Sequence, residues 1–154
     1  MPEFVRRNRP AHPPLIERHN QPTILFVTVC VAGRLNCLAN DAVHQSLVTA
    51  WKAADAWTVG RYLVMPDHIH LFCTPGVFPP MNIKRWTSYW KRLVTQSLGA
   101  HPWRWQADCW DLQMRNQRHY LEKLEYARQN PVRAGLVACE VDWKFQGELN
   151  VISW

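Results

Sequence analysis

Two histidines separated by a single residue are the side chains in this sequence that best suit metal-assisted chemistry. His68 and His70 flank Ile69 in a segment with the composition of a β-strand, directly after a Pro66-Asp67 turn. Side chains two residues apart in a strand lie on the same face, about 6.6–7 Å apart along it. Two imidazoles placed in this way can bind one divalent cation, although most His-x-His pairs are incidental or structural.

A tyrosine and an asparagine share a predicted helix further along the chain. Tyr126 lies four residues before Asn130, so the phenol and the amide project to the same side. A phenol is a weak nucleophile near neutral pH and needs activation. Tyr120 is the alternative nucleophile, but no amide follows it four residues later. Glu122, one turn before Tyr126, is a candidate base or ligand, and an ion pair with a neighbouring cation is the more common role.

The positive charge of the chain is concentrated in one segment. The 154 residues carry a net charge of +6, and residues 84–133 contain ten Lys and Arg against four acids, which accounts for the whole excess. Such a segment is a candidate contact surface for a polyanion, with solvated helix faces as the alternative.

The elements that position these residues follow from hydrophobic periodicity. The predicted order is a strand at 23–31, a helix at 42–57, strands at 62–65 and 69–73, a helix at 81–98, a strand or irregular cover within 101–115, and a helix at 116–129. This β-α-β-β-α-β order with a further helix is that of an α+β, ferredoxin-like (split βαβ) fold. It predicts an antiparallel sheet with helices on one face and a C-terminal helix that carries Tyr126.

The chain is predicted to form one domain with an extension at each end. Residues 1–21 form an extended arm rich in Pro and Arg, either disordered or laid over the domain or over DNA. Residues 22–145 form the domain, and 146–154 form a short tail. No apolar run approaches the ~18 residues that span a bilayer, and the N-terminus lacks the apolar segment of a signal peptide. We therefore expect a cytoplasmic protein, with no membrane partner.

Two blocks of the sequence resemble the signature blocks of a known enzyme family. The first is YLVMPDHIHL at 62–71, and the second is YARQNPVRAGLV at 126–137. Both resemble blocks of the IS200/IS605-like Y1 (HUH) transposases, and the second is closest to the REP-associated tyrosine transposases. The segment WDLQMR at 110–115 resembles the block that precedes the tyrosine helix in that group. The resemblance extends over residues 22–145.

The resemblance implies a metal-dependent, single-strand DNA transposase or endonuclease. Tyr126 would be the catalytic nucleophile, forming a 5′-phosphotyrosine link and leaving a free 3′-OH. His68, His70 and Asn130 would bind Mg²⁺ or Mn²⁺. The protein would act on single-stranded or hairpin DNA at the nucleoid, as a homodimer or as a monomer. The basic residues then predicted to contact DNA are Lys84, Arg85, Lys91, Arg92, Arg115, Arg118, Arg128 and Arg133.

Two other classes of function compete with this hypothesis. A domesticated relative would bind hairpin DNA or RNA without cleaving it, but it would not need the two histidines, the tyrosine and the asparagine together. A ferredoxin-like RNA-binding domain is disfavoured, because the predicted central strands lack the aromatic pair that stacks on RNA bases.

Overall fold

A five-stranded antiparallel sheet forms the centre of the protein. The computed structural model describes residues 11–18 and 20–154. The strands are β1 (Leu25–Cys30), β2 (Trp57–Val64), β3 (His68–Pro75), β4 (Trp110–Gln113) and β5 (Gln146–Glu148), and the helices are α1 (Asp41–Ala53), α2 (Ile83–Leu98), α3 (Gln117–Arg128) and α4 (Asn130–Arg133). The sheet order β4-β1-β3-β2-β5 contains the ferredoxin-like order with one added strand. The predicted α+β fold class is confirmed.

The two faces of the sheet are covered by different helices. On one face, Val27 of β1 and Leu71 of β3 join a large core with the buried tryptophans of α1 and α2. On the other face, Phe26 and Phe72 form a smaller core with Tyr120 of α3. Alternation along each strand therefore decides which helix a residue meets. None of the helices in the described ranges is long and apolar enough to cross a membrane.

Asparagine side chains begin the three longer helices. Asn40, Asn82 and Asn116 each accept a hydrogen bond from the main-chain N–H three residues later, at the starts of α1, α2 and α3. Such caps satisfy a main-chain donor that has no partner within the helix. At the other end, α2 stops at Gly99, whose φ of 70° lies in the left-handed region that favours glycine.

Several boundaries differ from those that the sequence predicts, and the largest differences lie around β2 and in the predicted tail. The first helix ends at Ala53 instead of residue 57, because Trp57 begins β2 and is almost fully buried in the large core. The apolar stretch around Trp57 fits helical spacing and strand spacing equally well. In the predicted tail, residues 146–148 form β5, which pairs with β2 and so belongs to the sheet.

Part of the N-terminal arm lies against β4. The main-chain N–H of Ile16 donates to Gln113 Oε1 over 2.9 Å, and Gln113 Nε2 donates back to the Ile16 carbonyl over 2.8 Å. Arg18 donates to the carbonyl of Arg115 over 2.8 Å. Residues 11–18 of the arm are therefore laid over the domain, while residues 1–10 lie outside the described residues.

His12 anchors this arm between two carboxylates. Its Nε2 is 2.7 Å from Asp108 Oδ1, and its Nδ1 hydrogen-bonds with Asp111. Burial lowers the pKa of His12, but the hydrogen bonds and negative charges of the two aspartates outweigh it and hold the pKa above 6.5. Since the folded-state pKa is raised, protonated His12 stabilises the fold fully below pH 6.5, and this contribution is lost as the pH rises through the folded-state pKa.

We expect His12→Ala to lower the free energy of unfolding by about 1 kcal/mol near pH ~5.5, with allowance for solvent screening. The difference from the unsubstituted protein should shrink as the pH is raised to about 8. Urea unfolding at a series of pH values measures both quantities. His101→Ala, in a loop on the surface, is the matched control. A destabilisation that stays constant over this pH range would contradict the imidazolium anchor.

Candidate active site

His68 and His70 lie on the α3 side of β3 with their imidazoles turned toward one point. Their Nε2 atoms are 3.2 Å apart. Ile69 points to the opposite face and is fully buried in the large core. The His70 ring stacks on Phe26 of β1, with centroids 5.0 Å apart. The strand alternation thus delivers both histidines to one place and packs the residue between them into the core.

A polar side chain contacts the far nitrogen of each imidazole. Asp67 Oδ1 is 2.6 Å from His68 Nδ1, and Thr28 Oγ1 is 2.8 Å from His70 Nδ1. Arg34 holds Asp67 in turn, because its Nε donates to Asp67 Oδ2 over 2.8 Å. In metal sites, such partners fix the orientation and tautomer of histidine ligands. These contacts leave both Nε2 atoms to face the shared point.

The environment keeps the two imidazoles neutral. The pKa of His70 is lowered to about 3, first by burial and then by neighbouring positive charges. Burial also lowers the pKa of His68, against the opposing effect of Asp67. Burial alone would raise the pKa of Asp67, but hydrogen bonds from Arg34 and His68 outweigh it and the pKa falls below 3.8. Neutral imidazoles are the form of histidine that binds metal ions.

Asn130 brings a third polar group to the same point from a different element. It is the first residue of α4, where the proline that follows suits the start of a helix. Its Nδ2 is 3.2 Å from His68 Nε2. A half-turn about the last side-chain bond exchanges the amide nitrogen and oxygen, so Asn130 can also present Oδ1. Two imidazole nitrogens and one amide oxygen are a donor set that fits a divalent transition metal.

Tyr126 lies beside the histidines near the C-terminal end of α3. Its ring centroid is 6.4 Å from that of His70, and half of its surface is exposed. Two cations flank the ring: Arg133 Cζ is 4.2 Å and Lys123 Nζ is 5.3 Å from the ring centroid. A phosphate that approaches this tyrosine would meet positive charge on two sides.

Tyr120, the alternative nucleophile, is an interior residue. Only 5% of its surface is exposed, and its hydroxyl donates to the Ile152 carbonyl over 3.2 Å. Glu122 forms an exposed ion pair with Arg118, whose Nε is 3.0 Å from Glu122 Oε1. Both residues therefore have partners that explain them without a catalytic role.

The basic residues that the sequence assigns to DNA contact are divided between the two faces of the protein. Lys84, Arg85 and Arg92 are exposed on α2, on the side of the sheet opposite the histidines. Arg133 lies beside Tyr126, and Arg128 is paired with Glu125 over 2.9 Å. Arg115 and Arg118 are exposed before and within α3. Their contact with DNA stays a prediction.

Lys91 is a correction to that set. Its surface is only 6% exposed, and its ammonium donates to the main-chain carbonyls of Gln106 over 3.0 Å and Asp108 over 3.3 Å. Burial lowers its pKa. Lys91 lies on the same face of α2 as the buried Thr87, which contacts Cys109. A lysine fixed in this way holds the 106–109 loop and is not available to a phosphate.

Four residues that support the site are not identified by the sequence analysis. Asp67 is visible there only as part of a turn, although its place next to His68 at the start of a strand is a usable signal. Lys123 adjoins Tyr126 by helical spacing. Thr28 and Arg34 carry no such signal, because strand pairing and chain reversal bring them to the histidines from 42 and 34 residues away.

A second group of metal-binding residue types lies at the arm. Ligand atoms of His12, Cys109 and Asp111 lie within 4.8 Å of one another. Burial raises the pKa of the Cys109 thiol to about 11, and the Lys84 ammonium is 3.6 Å from Asp108. A protonated thiol and existing cations make this group a poorer metal site than the neutral histidines of β3.

Comparison with known proteins finds similarity to a curated protein in sequence and to solved structures in fold. No protein-family model matches the chain. The chain is 28% identical over 89 residues to a REP-associated tyrosine transposase of Escherichia coli (strain K12), a match that covers 56% of this chain and 52% of the relative. The chain thus spans about half the length of the curated relative. A solved structure of a REP-associated tyrosine transposase bound to a REP hairpin superposes with a TM-score of 0.69 at 22% identity, over 85% of this chain and 80% of the other.

We expect Asp67→Asn to weaken the binding of Mn²⁺ by at least about tenfold, because partners on the far nitrogen set the orientation and basicity of a histidine ligand. Isothermal titration calorimetry of Mn²⁺ into the purified protein measures this affinity. Asp55→Asn, an exposed aspartate in the turn before β2, is the matched control. Unchanged affinity in Asp67→Asn would show that His68 needs no carboxylate to orient it.

Proposed function

We propose that this chain, which is similar in sequence and in fold to the REP-associated tyrosine transposases, is a metal-dependent transposase that cleaves and rejoins single-stranded DNA at hairpin-marked sites. The observation that carries the proposal is the convergence of His68, His70 and Asn130, with Tyr126 directly beside them. The fold alone would not require these four side chains to meet, since they come from β3, α3 and α4.

The proposed reaction exchanges one phosphoester bond for another. The phenolic oxygen of Tyr126 attacks the phosphorus and gives up its proton to solvent, while the bond from phosphorus to the 3′ oxygen of the preceding nucleotide breaks. That oxygen takes up a proton and leaves as a free 3′-OH, and the 5′-phosphate stays linked to the tyrosine. Rejoining reverses the step, because a 3′-OH attacks the phosphotyrosine and releases the phenol.

The residues around Tyr126 support this chemistry in distinct ways. Lys123 and Arg133 would offset the negative charge of the phosphate as it approaches the ring. His68, His70 and Asn130 would hold Mg²⁺ or Mn²⁺, and nitrogen donors favour Mn²⁺ somewhat. Such an ion supplies polarisation of a phosphoryl oxygen and orientation of the leaving group. Asp67 and Thr28 act as positioning residues for the imidazoles.

We expect Tyr126→Phe to abolish the covalent protein–DNA adduct and to leave hairpin binding nearly unchanged, because only the attacking oxygen is removed. The measurement is a denaturing gel of protein with end-labelled hairpin DNA from the flanks of its own gene, with and without Mn²⁺ or Mg²⁺. A 5′-phosphotyrosine link predicts that only the 3′-labelled fragment migrates with the protein.

The control for this experiment is Tyr120→Phe, which removes a phenol from the same helix but should keep the adduct. An adduct that persists in Tyr126→Phe would move the nucleophile elsewhere. Tight, metal-independent binding to several hairpins without an adduct in the unsubstituted protein would instead favour a domesticated binding protein.

We expect DNA binding to weaken steeply with salt, because each neutralised phosphate releases counterions. Arg133→Gln should lower the slope of log affinity against log salt by about 0.7 for single-stranded DNA. Fluorescence anisotropy at several salt concentrations measures the slope. Lys52→Gln, an exposed lysine at the end of α1 on the opposite face, should leave it unchanged. An equal slope in Arg133→Gln would show that this arginine contacts no phosphate.

A further inference from the structure

A pocket of about 690 Å³ opens next to His70, between α3 and the β2–β5 side of the sheet. Its floor is formed by Leu63 of β2 together with His70 and Phe72 of β3, and one wall is formed by Leu121 and Leu124 of α3. Pockets of this size and mixed lining are typical of sites that take a small molecule or one unit of a polymer. Of the three proposed metal ligands, His68, His70 and Asn130, only His70 also lines this pocket.

Tyr126 and the pocket lie on opposite sides of that imidazole. Lys123, which flanks the Tyr126 ring, is also 5.9 Å from the ring of Phe26 on β1, so the tyrosine lies toward β1. The pocket lies toward β2 and β5, where Leu63 pairs with Gln146. Because β3 is between β1 and β2 in the sheet, His70 separates the nucleophile from the pocket.

Phosphoryl transfer places the attacking and leaving oxygens on opposite sides of the phosphorus. With Tyr126 on the β1 side, a phosphate held at the histidines would direct its leaving oxygen toward the β2 side. The leaving oxygen belongs to the nucleotide on the 5′ side of the cut. That nucleotide is therefore brought to the mouth of the pocket.

The lining of the pocket suits a base in particular. Leu121 has 54% of its surface exposed at the wall, and it offers an apolar surface for a flat ring. Gln146 Nε2 donates to the carbonyls of Glu140 and Trp143, both over 2.7 Å. These two bonds use both amide hydrogens of a residue that lines the pocket, so that Oε1 is the remaining polar atom of its amide. Apolar contact with the ring faces and fixed polar atoms at the edge are how extruded bases are held in proteins.

We infer that this pocket receives the base of the nucleotide directly 5′ of the cleaved phosphate, the nucleotide that carries the leaving 3′ oxygen. The inference rests on the proposed function and adds a specificity site to it. A fixed acceptor at Gln146 favours a base with an amino or imino N–H at its edge. The pocket would then select the nucleotide at the cut, separately from the recognition of the hairpin.

The test uses Leu121→Trp, which fills the pocket from an exposed helix position, in the non-cleaving Tyr126→Phe background. Leu112→Trp is the matched control, because Leu112 is 45% exposed on β4 at the far edge of the sheet. Fluorescence anisotropy measures the affinity of each protein for hairpin DNA with single-stranded flanks. A series of such oligonucleotides carries one abasic residue at each successive flank position.

We expect one flank position at which the abasic residue weakens binding to the Leu112→Trp control by about fivefold or more. At that position the Leu121→Trp protein should bind the intact and abasic DNA equally. The position should be the one directly 5′ of the cut that the unsubstituted protein makes.

Hairpin binding in which both proteins respond alike at every position would overturn the pocket assignment and leave the proposed function intact. The same holds if the sensitive position lies on the 3′ side of the cut. Absence of any DNA binding would overturn both.

Discussion

The pairing register between β1 and β3 is the constraint on which the candidate site depends. Thr28 lies opposite His70 and Cys30 lies opposite His68, so the threonine hydroxyl reaches the far nitrogen of its neighbour across the strand. A slip of one residue would turn both imidazoles toward α1 and α2 and bring Ile69 to the α3 face. The apolar packing of the two cores makes that slip costly. Hydrophobic burial thus holds the geometry of the polar groups.

The polar side chains around the histidines contact one another within the protein itself. His68 Nε2 is the point to which both Asn130 and His70 turn, each at 3.2 Å. A threonine hydroxyl can donate or accept, so Thr28 supports either tautomer of His70. Buried polar groups that are paired in this way carry a small energetic cost, whereas unpaired ones are expensive. The fold can therefore keep the side chains of His68, His70 and Asn130 together before any substrate binds.

The features of the fold and the site that can be predicted from the sequence depend on residues close together in the chain. Strand alternation predicts that His68 and His70 share a face, and the order of apolar segments predicts the fold class. The features that the sequence does not predict are set by tertiary packing. Lysine is usually a surface residue, yet the 106–109 loop covers Lys91. Three residues of the predicted tail form β5 because β2 offers them an unpaired edge. Thr28 is found only when the register of β1 against β3 is known.

The edges of the sheet have a consequence for the behaviour of the protein in concentrated solution. One edge strand, β4, is covered by residues 11–18, and the side-chain amide of Gln113 makes the two hydrogen bonds that a neighbouring main chain would make. The other edge strand, β5, is three residues long. Long unpaired edges are templates for joining sheets of different molecules into aggregates. With one edge covered and the other short, the described fold resists edge-to-edge aggregation.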